Sequence, residues 1–191
     1  MTARRAARAL AGGASAVTFL TIAPLGRRAP RSGKLGPAAA WFPLVGGAVG
    51  LAAGGLRAGA DPLVGAVPAT VLAVIAGVVL TGGLHQDGLA DCADGLGARG
   101  GLERRLAVMR DPVVGAFGVL ALIAWALIVV TSVGGLTTGR AVIALVTAGA
   151  LGRLAAVGHA LACRPARADG LSAGFAPSGS GAALATASAA V

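Results

Sequence analysis

The chain has 191 residues, of which 56% are hydrophobic and 12% charged, with a mean hydropathy of +0.83. A water-soluble surface needs roughly a quarter charged residues, so these side chains could not cover a soluble core and lipid must do so instead. The net charge of +9 does not point to nucleic acid: the arginines are scattered between apolar runs, and aromatic residues, at 3%, are too few for base stacking.

Leu10–Leu25 is the first apolar segment, with arginine at both ends, and is expected to be interfacial or re-entrant. Arg4, Arg5 and Arg8 followed by Ala14-Ser15-Ala16 imitate a secretory signal. The strongest apolar run, Val17 to Leu25, comes after that site, so no cleavage is expected. Spans are expected at about 38–56, 63–80, 113–133 and 141–163, each long enough for a hydrocarbon core of about 30 Å. A partial sixth segment covers 181–191. Gly46, Gly50 and Gly54 repeat every four residues and should bring a bare strip of backbone against another helix. Cys92 and Cys163 are far apart and form neither a disulfide framework nor a zinc motif.

Charge in the connections orients the spans. Arg27, Arg28, Arg31 and Lys34, then Arg99, Arg104, Arg105 and Arg110, then Arg164 and Arg167 mark one side; the alternate connections carry only Arg57 and Arg140. The positive-inside bias places 26–37, 81–112 and 164–180 in the cytoplasm and 57–62 and 134–140 outside.

The chemistry is concentrated in 81–111, which holds five of the seven acidic residues: Asp87, Asp91, Asp94, Glu103 and Asp111. On a helix, Asp87, Asp91 and Asp94 fall within about 60° of one another, and such carboxylates repel unless a cation sits between them. All-oxygen ligation suits Mg²⁺, Mn²⁺ or Ca²⁺ better than zinc. The plainer alternative is a solvated acidic face neutralised by Arg99, Arg104 and Arg105. His85 would point about 160° away from Asp87 in a continuous helix, but Gly82 and Gly83 allow a break that could fold it back as a general base, a support for the ligands, or a packing residue. Leu102, Leu106 and Met109 predict an amphipathic surface helix over 102–111, with Pro112 opening the next span. Arg110 and Asp111 could add a phosphate contact and one more ligand, or be a plain ion pair. Arg153, deep in the fifth segment, needs a partner or a polar cavity: the acidic cluster, a substrate phosphate or a structural ion pair. Arg167 and Asp169 could close over the same mouth.

These residues resemble cobalamin synthase, the adenosylcobinamide-GDP ribazoletransferase family. Gly82-Gly-Leu-His-Gln-Asp-Gly-Leu-Ala-Asp-Cys-Ala-Asp-Gly95 is similar to the family's GG-[LF]-H-x-D-G-L-A-D-x-x-D-G signature. Phe19-Leu-Thr with Pro24, Phe42-Pro-Leu-Val-Gly46, Met109-Arg-Asp with Gly115-Ala-Phe-Gly118, and Ala166-Arg-x-x-Gly-Leu171 follow in the family's order, from about residue 18 to 175. The resemblance implies an Mg²⁺-dependent phosphotransferase of cobalamin biosynthesis that joins adenosylcobinamide-GDP to α-ribazole or its 5′-phosphate and releases GMP. Its metal ligands would be Asp87, Asp91 and Asp94, with His85 or one of those carboxylates taking the hydroxyl proton. Arg110, Asp111, Arg153 and Arg167 would bind substrate. Ile22 stands where the family often has Arg, and the family usually continues for several dozen residues past Val191, so a C-terminally truncated chain is expected. Two rivals are weighed. A CDP-alcohol-type phospholipid phosphotransferase would need Arg where Asp91 stands, and a divalent-cation transporter would place its site nearer the bilayer midplane.

The expectation is therefore an all-α fold: a polytopic transmembrane helical bundle, one membrane-embedded domain over 1–191, in the bacterial plasma (inner) membrane with its active site facing the cytoplasm. Its partners are the corrinoid nucleotide, the ribazole substrate and the lipid bilayer. The sequence leaves the oligomeric state open and is compatible with a homo-oligomer.

Overall fold

The computed structural model describes residues 2–25 and 36–163, which form eight α-helices and no strand. They are α1 (Thr2–Leu20), α2 (Gly36–Ala39), α3 (Phe42–Val64), α4 (Ala66–Thr81), α5 (Leu84–Gly97), α6 (Leu102–Val108), α7 (Ala116–Gly134) and α8 (Thr138–Ala162). By length and composition α7 and α8 can cross a membrane, and a third candidate is the bent pair α4–α5. Glycine and Arg57 dilute α3, which has the length but is not among these candidates. The apolar part of α1, Leu10–Leu20, is shorter than a span. Leu72 and Ile75 on α4, Leu120, Ile123, Leu127 and Ile128 on α7, and Ile143 and Leu151 on α8 are all exposed, as a lipid-facing surface requires. The partial segment 181–191 lies outside the described residues.

The described residues fall into two compact units, and α3 and α8 contribute to both. In the first, which takes the described residues up to Gly55 and those from Val142 to Cys163, the glycine strip meets α8 as expected. A Cβ on Gly46 would collide with the Gly149 carbonyl, one on Gly50 with the Leu145 carbonyl, and one on Gly54 would lie 3.1 Å from the Val142 Cα. Gly149 returns the contact against Gly46. Close backbone approach of this kind supplies the packing that apolar burial cannot supply in lipid. Phe19 and Phe42 stack in the same unit with ring centroids 5.6 Å apart, and a Cβ on Gly13 would lie 3.4 Å from the Trp41 ring.

The second unit, Leu56–Ala141, contains α4 to α7. Ala69, Thr70 and Ala73 give α4 a buried face of small residues, and Gly134 of α7 packs on Val67. Here the structure departs from the expected connection at 57–62, because α3 runs through it to Val64. Arg57 is fully buried rather than displayed in a loop. Its Nη1 pairs with Asp61 Oδ2 at 2.6 Å, its Nε donates to Thr70 Oγ1 at 2.9 Å, and its Nη2 donates to the Leu136 carbonyl at 3.4 Å. Thr138 Oγ1 donates to the same Asp61 oxygen at 2.6 Å. With the charge satisfied from three directions the helix need not end before Arg57. Pro62 forfeits a backbone bond near the end of α3, and Gly65, at φ 84°, breaks the chain before α4. Arg57→Met is expected to lower unfolding free energy by about 2 kcal/mol, because Asp61 and Thr70 lose their partner. Thermal unfolding in detergent would register it as a lower Tm.

Candidate functional site

The site starts from a turn that only glycine makes easily. Gly82 and Gly83 both adopt left-handed backbone, at φ 61° and 73°. Gly83 donates to the Val78 carbonyl at 2.9 Å and Gly82 to the Val79 carbonyl at 3.1 Å, which closes α4 with a Schellman pair of bonds. The next helix, α5, leaves at 91° to α4. The break expected from the two glycines is therefore present, and the whole acidic motif lies on one 14-residue helix.

Asp87 sits in the first turn of α5, where the helix dipole favours a carboxylate, and is exposed. Asp91, one turn further, is half-buried. Both belong to the helix face that the sequence spacing defined. The break precedes Leu84, so His85 is already helical and its position is about 160° around the helix from Asp87.

Asp94 has a more specific place. Its Oδ2 accepts the Gly115 backbone N–H at 2.7 Å and its Oδ1 accepts that of Gly118 at 2.8 Å. Gly115 is the N-cap of α7, so one carboxylate from another helix serves two of the donors left bare at the start of α7. These bonds also explain why α7 begins at Ala116 rather than at the expected Val113: the cap is supplied at Gly115. Pro112 lies outside the helix.

The end of α5 is seated on both following elements. A Cβ on Gly95 would strike the Met109 side chain, and one on Gly97 the Phe117 ring. The expected surface helix exists as α6 but is shorter, Leu102–Val108. Arg110 and Asp111 follow it, both exposed, and Asp111 Oδ1 accepts the Val113 N–H at 3.0 Å in a local turn. Among the described residues Arg99, Arg104 and Arg105 make no direct ion pair with the acids. No group of three His, Cys, Asp or Glu side chains among the described residues is gathered to hold a metal ion. In unit one, Arg153 lies against Gly46 with its Nε buried and without a hydrogen-bond partner. Arg167 and Asp169 lie outside the described residues.

The role of Asp94 at α7 and the burial of Arg57 were missed from the sequence. Gly115-Ala-Phe-Gly118 carried a signal for the first, since two glycines flanking a helix start mark close approach. Nothing local signalled the second.

A family profile described as Cobalamin-5-phosphate synthase matches residues 12–191. A relative from Azorhizobium caulinodans, named adenosylcobinamide-GDP ribazoletransferase, is 42% identical over 146 residues, 74% of this chain and 55% of its own. A relative of the same name from Frankia casuarinae is 40% identical over 178 residues, 83% of this chain and 62% of its own. Another from Geotalea daltonii is 48% identical over 113 residues, 56% of this chain and 44% of its own. The chain spans about half the length of the curated relatives it matches. No solved structure matches it.

Proposed function

Because the chain belongs to the cobalamin-5-phosphate synthase family, we propose that it acts as a membrane phosphotransferase joining adenosylcobinamide-GDP to α-ribazole, or its 5′-phosphate, with release of GMP. The observation that carries this reading is the folding of the whole Gly82–Gly95 motif into one elbow and one acidic helix. The bonds are exchanged at one phosphorus. The ribazole hydroxyl oxygen bonds to the corrinoid-side phosphorus while the bond from that phosphorus to the bridging oxygen breaks, and GMP leaves with the electron pair.

Such a transfer asks the protein for alignment and for offset of phosphate charge, with little covalent help. Asp87 and Asp91, one turn apart on α5, are the residues that would hold Mg²⁺. This metal keeps several waters and takes one or two carboxylates, with phosphate oxygens completing its shell, so a pair of acids fits it without a third. When bound it supplies charge neutralisation to the pyrophosphate and to the departing GMP. The acceptor of the hydroxyl proton is a carboxylate of α5 rather than His85, whose place on the helix faces away. Arg110, Arg153 and Arg167 would bind phosphates.

In the same reading α3, α4, α7 and α8 cross the bacterial plasma membrane, and residues 81–112 face the cytoplasm. The arginine-rich connections support this orientation. The test is direct: protein purified in detergent, given Mg²⁺, adenosylcobinamide-GDP and α-ribazole, should release GMP and form the joined nucleotide loop. GMP release that does not depend on ribazole would overturn the transfer reading, and so would loss of substrate without GMP.

A further inference from the structure

We propose that Asp94 is a positioning residue that clamps α7 to α5, and that it stands apart from the carboxylate pair facing the substrate. This deepens the proposed function and rests on its reading of α5 as the helix that handles metal and phosphate. The spacing of the motif invites the opposite assignment, since Asp94 shares a helical face with Asp87 and Asp91.

Both oxygens of Asp94 are committed. One accepts from the N-cap residue of α7 and the other from the third residue of that helix. In an ordinary capping box two side chains of the same helix divide these two donors between them. Gly115 has no side chain, and one carboxylate from α5 does the work of both. Short charge-assisted bonds of 2.7 and 2.8 Å are at the strong end for N–H donors. If Asp94 swung toward a cation shared with Asp91, it would abandon two N–H groups, one of them on the buried Gly118.

The surroundings are shaped for this one pose. A Cβ on Gly115 or on Gly118 would run into the Asp94 carboxylate, and Gly118 also lies against the Ala90 carbonyl of α5. Phe117, between the two glycines, fills the space over Gly97. Three of the first four residues from the N-cap of α7 are thus seated on α5. Electrostatics agrees. A negative charge in the last turn of α5 opposes the dipole of its own helix, whereas the start of α7 presents the positive end that favours it.

The assignment separates metal affinity from turnover. The experiment measures Mn²⁺ binding by electron paramagnetic resonance, Mg²⁺ activation of GMP release, and amide exchange in the purified protein, for D94N, G118A, D87N and D91N. D94N leaves one acceptor oxygen, and G118A presses on the carboxylate without changing its charge. For both, Mn²⁺ affinity and half-saturating Mg²⁺ should stay within about twofold of the parent. Maximal GMP release should fall about tenfold, and amide exchange at 115–118 should speed about tenfold. D87N and D91N should each weaken Mn²⁺ binding at least about tenfold and leave exchange at 115–118 unchanged. If D94N weakens Mn²⁺ as much as D91N does, Asp94 is a ligand and the proposal is overturned. It is also overturned if exchange at 115–118 does not change in D94N. If D87N and D91N bind Mn²⁺ as the parent does, the metal reading of α5 fails instead, while the exchange data still decide the clamp.

Discussion

Replacing Asp91 by Asn is expected to cut GMP release at least about a thousandfold, equivalent to about 4 kcal/mol of lost transition-state stabilisation. Asn matches the side chain in size, so α5 should keep its length and its seat against α7. What disappears is the charge. Asp91 lies mid-helix, one turn from Asp87 on one side and one turn from the clamp at Asp94 on the other. It is half-buried, where a lost ligand is harder to replace by water than at the exposed Asp87. Phosphoryl transfer depends on neutralising a pyrophosphate, and a cation held by one carboxylate rather than two does that poorly. The measurement is GMP release by chromatography alongside far-ultraviolet circular dichroism. Turnover within tenfold of the parent would take Asp91 out of the site.

The second large effect concerns the helix pair in unit one. Gly50→Leu is expected to destabilise the protein by about 3 kcal/mol or more, the upper end for overpacking, because the obstacle is backbone. A Cβ at Gly50 meets the Leu145 carbonyl and the Val146 Cα, neither of which can rotate aside as a side chain would. The helices must separate along the strip that includes the Gly46–Gly149 crossing. Gly55, one residue past the strip, has nothing within 4 Å of such a Cβ. Gly55→Ala should therefore be neutral or stabilise by up to about 1 kcal/mol through the unfolded chain. Unfolding in mixed micelles compares the two. Equal effects at Gly50 and Gly55 would show that the strip carries no packing.

Much of this arrangement could be read from the chain alone, where the physics is local. The four-residue glycine repeat, the elbow at Gly82–Gly83 and the single helical face of the acids each follow from backbone freedom or helical period, and these three features are present. The misses share a cause: each depends on a partner far along the chain. Asp94 shares a helical face with its two neighbours, and nothing local told that it also accepts the N–H groups of Gly115 and Gly118, over twenty residues away. Arg57 looked like a loop charge because its isolated cost in an apolar helix is high, and Leu136 and Thr70 offset that cost. The start of α7 moved from Val113 to Ala116 for the same reason, since the cap is supplied by another helix and not by Pro112. The sequence also left open whether the break falls before or after His85, and α5 starts at Leu84.

The two surprises bear on a single element. At its first residues α7 meets the anion Asp94; just beyond its last, at the Leu136 carbonyl, it meets the cation Arg57. Each sign complements the partial charge of that helix end. In surroundings of low permittivity such end effects are poorly screened. An inverted α7 would face repulsion at both tips, so these two residues give an otherwise uniformly oily rod a heading.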